Sequence, residues 1–383
     1  MPGGARMSLA PESEGELAEM VRAANGPLAV RGGGTRGVTV DGTALDTSRL
    51  SGIRLYEPGA LTLVVGAGTP VSEIIHLIEA EGQQLPFEPM DHRDLVGTSG
   101  TPTIGGVVAA NVSGPRRLQA GACRDSMIGV RFVDGTGAVV KNGGRVMKNV
   151  TGYDLVKLMA GSHGTLGVLT EVAFKLLPAP AAAATLTLEA LDDATAVRAM
   201  ASALASPFEV SGAAHLPGQG TYLRLEGFEG QVAYRARQLS ERLARFGEVA
   251  TGRDPQAVAA QWAAIRDVAA FHGRSGDVWR VSVKPSDSPG IAARAGAEAV
   301  AYDWGGGLVW LLMTPGTDLR ARLGAFSGHA TLMRAAPETR ARLPRFQPEP
   351  APVAALTASL RARFDPRGIL NPGLMAPAAV AAS

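Results

Sequence analysis

The first half of the chain alternates short apolar runs with one clearly amphipathic segment. Val71, Ile74 and Ile78 follow Pro70 at intervals of three and four residues, which predicts a helix with proline at its start. The other apolar runs are shorter and predict strands or a brief helix. The predicted strands cover residues 28–31, 62–65, 127–133, 138–141 and 166–177, with a hairpin turn at Asp-Gly-Thr-Gly between the third and the fourth, and residues 154–159 predict the short helix.

The second half alternates strand and helix after a proline- and alanine-rich segment, residues 177–184, which we interpret as a linker. Residues 337–352 form a second proline-rich connection. We expect Trp279, Trp304 and Trp310 to pack in the core of this half. The predicted strands cover residues 185–189, 222–226, 279–283 and 308–313, and the predicted helices cover residues 194–205, 231–246 and 353–363.

These elements divide the chain into an α+β domain over residues 1–178, a smaller α/β domain over residues 185–335 and a C-terminal segment over residues 351–376. The 383 residues are 46% apolar and 19% charged, which is typical of a globular protein. The net charge of +2 and the lack of a basic block argue against nucleic acid as a partner. No apolar run reaches the roughly 18 residues of a membrane span, and the N-terminus lacks the features of a signal peptide, so we expect a cytoplasmic protein.

Glycine is abundant, with 48 residues, and it concentrates in two dense segments of the first domain. The first segment is Arg31-Gly-Gly-Gly-Thr-Arg-Gly37, and the second begins Thr103-Ile-Gly-Gly-Val-Val-Ala-Ala-Asn111. Glycine lets the backbone turn sharply and approach a ligand closely, and backbone N–H groups bind phosphate without a lysine. Two such loops together predict a binding site for a dinucleotide.

The first glycine segment also matches the G-x-G-x-x-G spacing of Rossmann dinucleotide-binding domains. That motif must open a helix, whereas the following Val38-Thr-Val-Asp-Gly42 has no helical spacing, and no acidic residue stands at the required offset. The spacing therefore argues against a Rossmann site. A pair of ordinary turns is the other alternative, and it explains one glycine loop better than two.

Two further motifs complete a family resemblance. With the glycine segments, Gly164-Thr-Leu-Gly-Val-Leu-Thr-Glu171 resembles the FAD-binding domain of the vanillyl-alcohol oxidase type, and Asp365-Pro-Arg-Gly-Ile-Leu-Asn-Pro-Gly373 resembles the closing motif of its 2-hydroxyacid dehydrogenase branch. More closely, Met147-Lys-Asn-Val-Thr-Gly-Tyr-Asp-Leu155, Ser113-Gly-Pro-Arg-Arg117 and Tyr302-Asp-Trp-Gly-Gly306 resemble the FAD-binding E subunits of bacterial three-subunit glycolate oxidases.

The resemblance implies an α+β fold in which a two-subdomain FAD-binding domain of the PCMH type carries a smaller ferredoxin-like cap, and the C-terminal segment returns to the FAD-binding domain. It also implies FAD as the cofactor and assigns residues to it. Gly32, Gly33, Gly34, Thr35 and Arg36 are expected around the pyrophosphate, Thr103, Gly105, Gly106 and Asn111 along the other side of the cofactor, and Gly114, Gly121, Arg124, Gly167, Val168 and Asn371 at further contacts.

Two departures from the family pattern bear on the chemistry. Some relatives attach FAD through a histidine at the position of Thr35, so we expect non-covalent FAD here. Catalytic relatives carry a histidine-rich segment in the second domain, and the nearest counterpart, Arg274-Ser-Gly-Asp-Val-Trp-Arg280, lacks those histidines. The catalytic residues therefore stay unassigned, with Arg280 and His329 as candidates for binding a substrate carboxylate. The scattered histidines predict no metal site.

The single cysteine, Cys123, predicts a small buried thiol and excludes a cysteine-ligated iron–sulfur cluster in this chain. Because this chain cannot hold such a cluster, the resemblance implies that electrons from FAD pass to an iron–sulfur partner. The resemblance implies an enzyme subunit that oxidises glycolate to glyoxylate beside a sister FAD subunit, with membrane contact only through the complex. Two alternatives stay open: a non-catalytic flavin relay beside a catalytic sister subunit, and a stand-alone dehydrogenase of the D-lactate type.

Overall fold

The computed structural model of this protein describes residues 8–144 and 152–375. Within these residues the strands form a three-stranded, a five-stranded and an eight-stranded sheet, together with a short two-stranded ribbon. The first two sheets build the two subdomains of the N-terminal domain, and the largest sheet builds the second domain. The α+β architecture predicted from the resemblance is confirmed.

The first subdomain is a parallel sheet covered by one helix. Ser13 caps this helix, Glu14–Ala23, by accepting a hydrogen bond from the backbone N–H of Glu16 through its side chain. Leu370, from the C-terminal segment, pairs in parallel with Leu28 and so extends this sheet. The strands, in sheet order, are Ser8–Leu9, Thr43–Asp46 and Leu28–Arg31.

The second subdomain is an antiparallel sheet that packs against helix Val71–Glu79 and several single-turn helices. The long helix buries Val71, Ile74 and Ile78, as the spacing predicts, and the predicted hairpin is confirmed. The strands, in sheet order, are Ile53–Glu57, Thr62–Gly66, Val168–Lys175, Met127–Val133 and Val139–Gly143. The short helices are Arg93–Val96, Ile104–Ala109, Arg117–Ala120, Cys123–Ser126 and Leu155–Met159, and the ribbon pairs Gln83–Gln84 with Leu177–Pro178.

The second domain consists of two ferredoxin-like β-α-β-β-α-β units that share one eight-stranded sheet, so the predicted ferredoxin-like cap is confirmed. Every neighbouring pair of strands is antiparallel. The units join edge to edge where His215 pairs with Tyr302. The first unit contains the strands Ala182–Leu188, Gly212–Leu216, Gly220–Gly227 and Val249–Gly252 and the helices Asp193–Leu204 and Glu229–Leu243. The second unit contains the strands Asp277–Val283, Ala299–Asp303, Leu308–Met313 and Gly328–Arg334 and the helices Ser288–Ala295 and Leu319–Leu323.

The sequence pattern misses several of these elements and misassigns one connection. The strand Gly212–Leu216 reads Gly-Ala-Ala-His-Leu, which has weak strand propensity, and pairing with its neighbours decides its conformation. Residues 337–352 are not a plain connection, because Pro337 begins helix Pro337–Arg342, where a first-turn proline costs no hydrogen bond. The remaining helices are Pro255–Arg266 and Ala351–Phe364.

The tryptophans of the second domain divide between two cores. Trp279 is fully buried between the cap sheet and its helices, as predicted. Trp304 and Trp310 instead belong to the apolar cluster of the FAD-binding domain, so the prediction that they fill the cap core is wrong. Alternate residues of a strand face opposite sides of the sheet, and Trp310 lies on the side that faces the first domain. Trp304 follows the end of the neighbouring strand, in a short turn that packs in the same cluster.

Charged side chains, mostly buried, also join the two domains. Arg224, on the cap, is 4% exposed and makes two hydrogen bonds to the carboxylate of Glu88, at 2.7 and 2.8 Å. Arg116, in the first domain, donates to Glu226 of the cap at 2.5 Å, and its backbone N–H donates to Glu88. Each charge has an opposite charge beside it, as buried ions require.

Candidate functional site

The two glycine-rich segments of the first domain lie against each other. A Cβ atom placed on Gly33 would lie 1.6 Å from the carbonyl oxygen of Thr101, and one placed on Gly100 would lie 1.7 Å from the carbonyl oxygen of Gly33. Glycine is therefore the residue that permits this contact between the two loops. The first loop follows strand Leu28–Arg31, and the second leads into helix Ile104–Ala109, which Thr103 caps through its hydroxyl.

The first loop lines a cavity of about 440 Å³. The five consecutive backbone N–H groups of residues 32–36 donate to no acceptor within the described part of the chain. A row of free N–H groups at a cavity wall forms an anion-binding nest. Opposite them the cavity is lined by the second glycine segment and by the residues 163–164 and 167–169.

Eleven of the residues predicted to contact FAD line this cavity. Asn371 is one of them, although both ends of its amide bond backbone: Oδ1 accepts from Val30 N–H at 2.7 Å, and Nδ2 donates to the carbonyl of His163 at 2.9 Å. It therefore anchors the wall of the cavity. The eleven are Gly32, Gly33, Gly34, Thr35, Arg36, Thr103, Gly105, Gly106, Gly167, Val168 and Asn371.

The other four predicted residues lie elsewhere. Asn111 lines a second cavity, described below, and its side-chain oxygen accepts a hydrogen bond from the backbone N–H of Arg124. The Arg124 side chain is half exposed and lies 3.8 Å from Asp125. Gly114, through its carbonyl, accepts a hydrogen bond from the Trp304 indole, and Gly121 terminates a short helix; neither lines either cavity. Residues 147–151 of the family motif lie outside the described residues.

The first cavity fits FAD by the chemistry of its walls. The free N–H groups of the first loop suit the pyrophosphate, and Arg36 adds a positive charge beside Gly106, whose Cβ position is only 2.8 Å from that guanidinium. The wall between them is glycine and alanine backbone, which leaves room for a long, flat ligand. FAD would therefore be held by residues 32–36 on one side and by Thr103, Gly105 and Gly106 on the other.

A second cavity, of about 270 Å³, lies between the two domains and shares Arg36, Val38 and His163 with the first. The shared residues place the two cavities side by side. No carboxylate lines the second one among the residues that the structure describes. Its charged and titratable lining residues are Arg36, Arg117, Arg280, Arg345, His92, His163 and His329.

The arginines of the second cavity are held close to other positive charge. Burial lowers the pKa of Arg280 to about 10, and the charge of Arg117 adds to the effect. Burial and the charge of Arg345 likewise lower the pKa of Arg36 to about 10. All these guanidiniums stay protonated at neutral pH. A low-dielectric cavity with surplus positive charge is a binding site for an anion.

The histidines of the second cavity are neutral at pH 7. Burial, with nearby arginines, lowers the pKa of both His92 and His163 to about 3. Burial also lowers the pKa of His329, helped by Arg280 and Arg117. A neutral imidazole has a ring nitrogen that can accept a hydrogen bond or a proton, but a pKa near 3 makes His92 and His163 weak bases.

Both candidates for substrate binding, Arg280 and His329, line this second cavity. They lie on adjacent antiparallel strands of the cap, where Arg280 pairs with Thr331 and His329 pairs with Ser282. The register therefore places the four side chains on one face of the sheet. Sequence reasoning missed His92, His163, Arg117 and Arg345 as lining residues, since they come from four separate segments with no shared motif.

Buried Cys123 lines neither cavity, and burial raises the pKa of its thiol. The thiol is therefore protonated and inert, in agreement with a structural role. Its side chain packs in the core of the first domain, and its backbone N–H donates to Ser113.

The buried carboxyl of Asp303, on the cap, predicts that the free energy of unfolding depends on pH. Burial raises the pKa of Asp303 to about 7, and the nearby charge of Glu88 adds to the rise. A carboxyl with a raised folded-state pKa stabilises the fold at low pH, and this contribution is lost as pH rises from about 4 towards 7. We expect Asp303→Asn to reduce the fall in unfolding free energy over that range, by up to about 1.4 kcal/mol per pH unit.

Denaturant titrations at pH 4.5, 5.5, 6.5 and 7.5 would measure this difference. The asparagine introduced by Asp303→Asn can still accept the hydrogen bond that Asp303 receives from Trp304 N–H at 2.7 Å. The exposed Asp94, changed to asparagine, is the matched control. Parallel pH profiles for the wild type and Asp303→Asn would contradict the raised pKa.

Comparison with known proteins identifies the family of this chain. The family model "FAD binding domain" matches residues 5–143. Glycolate oxidase subunit GlcE of Escherichia coli (strain K12) is 35% identical over 354 residues, which cover 91% of this chain and 92% of that protein. Glycolate oxidase subunit GlcD of Bacillus subtilis (strain 168) is 35% identical over 159 residues, 40% of this chain and 32% of the relative.

A solved structure of alkyldihydroxyacetonephosphate synthase superposes with a TM-score of 0.68 over 95% of this chain and 76% of that one, at 16% identity, and so supports the fold. Among the described residues, no helix has both the length and the apolar character needed to cross a membrane. The near-complete alignment with GlcE and the matching FAD-binding domain show that this chain belongs to the family of the glycolate oxidase subunit GlcE and that its cofactor is FAD.

Proposed function

We propose that this chain is an FAD-binding subunit of an oxidoreductase complex and oxidises glycolate, or a similar small 2-hydroxy acid, to the 2-oxo acid. One observation carries the proposal: the cavity that fits FAD shares Arg36, Val38 and His163 with a second cavity, which is lined by arginines and has no carboxylate among its described lining residues. A 2-hydroxy acid is an anion of matching charge. The names of the relatives GlcE and GlcD support glycolate as the substrate.

The residues of the second cavity suit the steps of this reaction. Arg280 would bind the substrate carboxylate, since its guanidinium makes no ion pair within the described residues. His329, neutral through its lowered pKa, would accept the hydroxyl proton of the substrate. When bound, FAD supplies the acceptor for the hydride that leaves the substrate carbon. The proton and the hydride together account for the oxidation of an alcohol to a carbonyl group.

Electrons would leave through partner subunits. With one cysteine, the chain cannot ligate an iron–sulfur cluster through cysteines, so we propose an iron–sulfur subunit and a sister FAD subunit as partners. The relatives named as subunits of glycolate oxidase support a multi-subunit assembly. We further propose a cytoplasmic location, at the membrane surface only through the complex. Thr35, at the position of the family's attachment histidine, supports non-covalent FAD.

A non-catalytic flavin relay is the second candidate function. It is favoured by one feature, the segment Arg274–Arg280, which lacks the histidines of catalytic relatives. In this case a sister flavin subunit would oxidise the substrate, and this chain would pass electrons. The histidines His92, His163 and His329 in the second cavity favour the catalytic function instead.

The test is the visible spectrum of the purified chain before and after anaerobic addition of glycolate. We expect the flavin absorption to bleach, and Arg280→Met to lower kcat/KM at least about 100-fold, since two charge-assisted hydrogen bonds contribute roughly 3 kcal/mol. Arg294→Met, at an exposed position on a cap helix, is the control. A spectrum that stays oxidised until the partner subunits are added would support the relay.

A further inference from the structure

Two arginines from different domains approach the same aromatic ring in the second cavity. The guanidinium carbon of Arg117, from the first domain, lies 4.4 Å from the centroid of the Trp304 ring. That of Arg280, from the cap, lies 5.0 Å from the same centroid and 6.0 Å from that of Trp310. All three distances are within the range of a cation–π interaction.

Neither guanidinium has a hydrogen-bond acceptor or an ion pair among the described residues. Asp303 acts on Arg280 through its charge but forms no ion pair with it. The charge of Arg117 opposes that of Arg280, and the five N–H donors of each guanidinium lack protein acceptors. A carboxylate bound at each guanidinium would offset both costs.

The ring that supports the two arginines is itself firmly placed. Trp304 is 8% exposed, its indole N–H donates to the carbonyl of Gly114 at 3.0 Å, and its backbone N–H donates to Asp303 at 2.7 Å. The first of these bonds crosses the domain boundary. Arg117 and Arg280 are therefore held in place before a ligand binds, which reduces the entropy lost on binding.

A monocarboxylate such as glycolate needs only one of these guanidiniums. We propose that Arg117 and Arg280 together form a subsite for a second carboxylate, so that the cavity also accepts short 2-hydroxy dicarboxylates. This proposal rests on the proposed function, because Arg280 is assigned there to the substrate carboxylate. Arg280 would bind the carboxylate beside the reacting carbon, and Arg117 would bind the distal one and determine specificity. The reaction at the hydroxyl carbon is unchanged.

Equilibrium binding of unreactive acids to the FAD-loaded full chain would test the subsite. The probes are acetate and butyrate as monocarboxylates and malonate, succinate and glutarate as dicarboxylates, each titrated by calorimetry at fixed ionic strength. We expect at least one dicarboxylate to bind about tenfold more tightly than the monocarboxylates, the effect of one additional charge-assisted hydrogen bond.

Two variants separate the roles of the arginines. Arg117→Met should weaken dicarboxylate binding about tenfold more than it weakens monocarboxylate binding, whereas Arg280→Met should weaken both classes to a similar degree. Arg294→Met is the control, and a melting curve confirms that each variant is folded. Equal loss of both classes in Arg117→Met, no loss of either, or no preference for dicarboxylates in the wild type would overturn the proposal.

The binding assay is independent of turnover, so the two proposals can fail separately. Dicarboxylate preference that depends on Arg117, combined with a flavin that glycolate does not reduce, would keep the subsite and reject autonomous oxidation. Reduction by glycolate without the Arg117-dependent preference would keep the oxidase function and reject the subsite.

Discussion

Replacing Gly33 with valine should abolish FAD retention. The valine Cβ would have to occupy a position 1.6 Å from the carbonyl oxygen of Thr101, which no side-chain rotation can avoid because the neighbouring atom belongs to the backbone. The two glycine loops must then separate, and the row of free N–H groups of residues 32–36 loses its arrangement. The FAD-to-protein ratio of the purified variant, measured from absorbance, should fall to near zero.

The matched control is Gly26→Val, since a Cβ at Gly26 meets nothing within 4 Å. That variant should keep its full FAD content. Far-ultraviolet circular dichroism would establish that Gly33→Val is folded, and acid precipitation of the wild type should release all of its flavin if Thr35 marks non-covalent binding. A folded Gly33→Val chain with a full complement of FAD would refute the assignment of the first loop to the cofactor.

The second large effect concerns stability. Arg224→Met should lower the unfolding free energy by about 3–5 kcal/mol, because it removes one partner from a buried ion network. Glu88 would lose two hydrogen bonds, and the nearby Glu226 would lose the ion pair it makes with Arg224 at 3.3 Å. Burial opposes the charge on Glu88, and Arg224 is the main group that holds its pKa below the usual range. Chemical denaturation at pH 7 measures the change.

A double variant tests the origin of that loss. Glu88→Gln removes the buried carboxylate that Arg224→Met leaves without its arginine partner. The double variant should therefore be more stable than the sum of the two single changes predicts. Arg294→Met should change stability by less than about 0.5 kcal/mol, as expected for an exposed side chain. Loss of less than about 1 kcal/mol in Arg224→Met would show that the network does not hold the two domains together.

The cavity that we propose for FAD was largely predictable because backbone groups line much of it. A loop that binds pyrophosphate through N–H groups needs glycine at several consecutive positions, and such a run is visible in one sequence. The residues that were predicted but lie away from the cavity, Gly114, Gly121 and Arg124, belong to turns whose glycines serve packing within the protein. A glycine does not by itself reveal whether it makes room for a ligand or for another part of the chain.

The substrate side of the site was less predictable. Arg280 was a candidate and Arg117 belongs to a family motif, but the sequence did not predict that either lines a cavity with Arg345, which no local pattern distinguishes from exposed arginines. Trp304 was expected in the cap core, yet it supports Arg117 from the other domain. These side chains become a site only when the cap sheet is placed over the first domain.

The sequence by itself determined the elements whose physical cause is local. Helix Val71–Glu79 follows from apolar spacing, the hairpin at Asp134–Gly137 from turn chemistry, and the cofactor loop from its glycines. Tertiary structure alone decided which face of the eight-stranded sheet lines the second cavity, which arginines are buried there without an ion-pair partner among the described residues, and which carboxyl is buried enough to titrate near neutral pH. Those properties arise from contacts between residues far apart in the chain, and local patterns carry no information about such contacts.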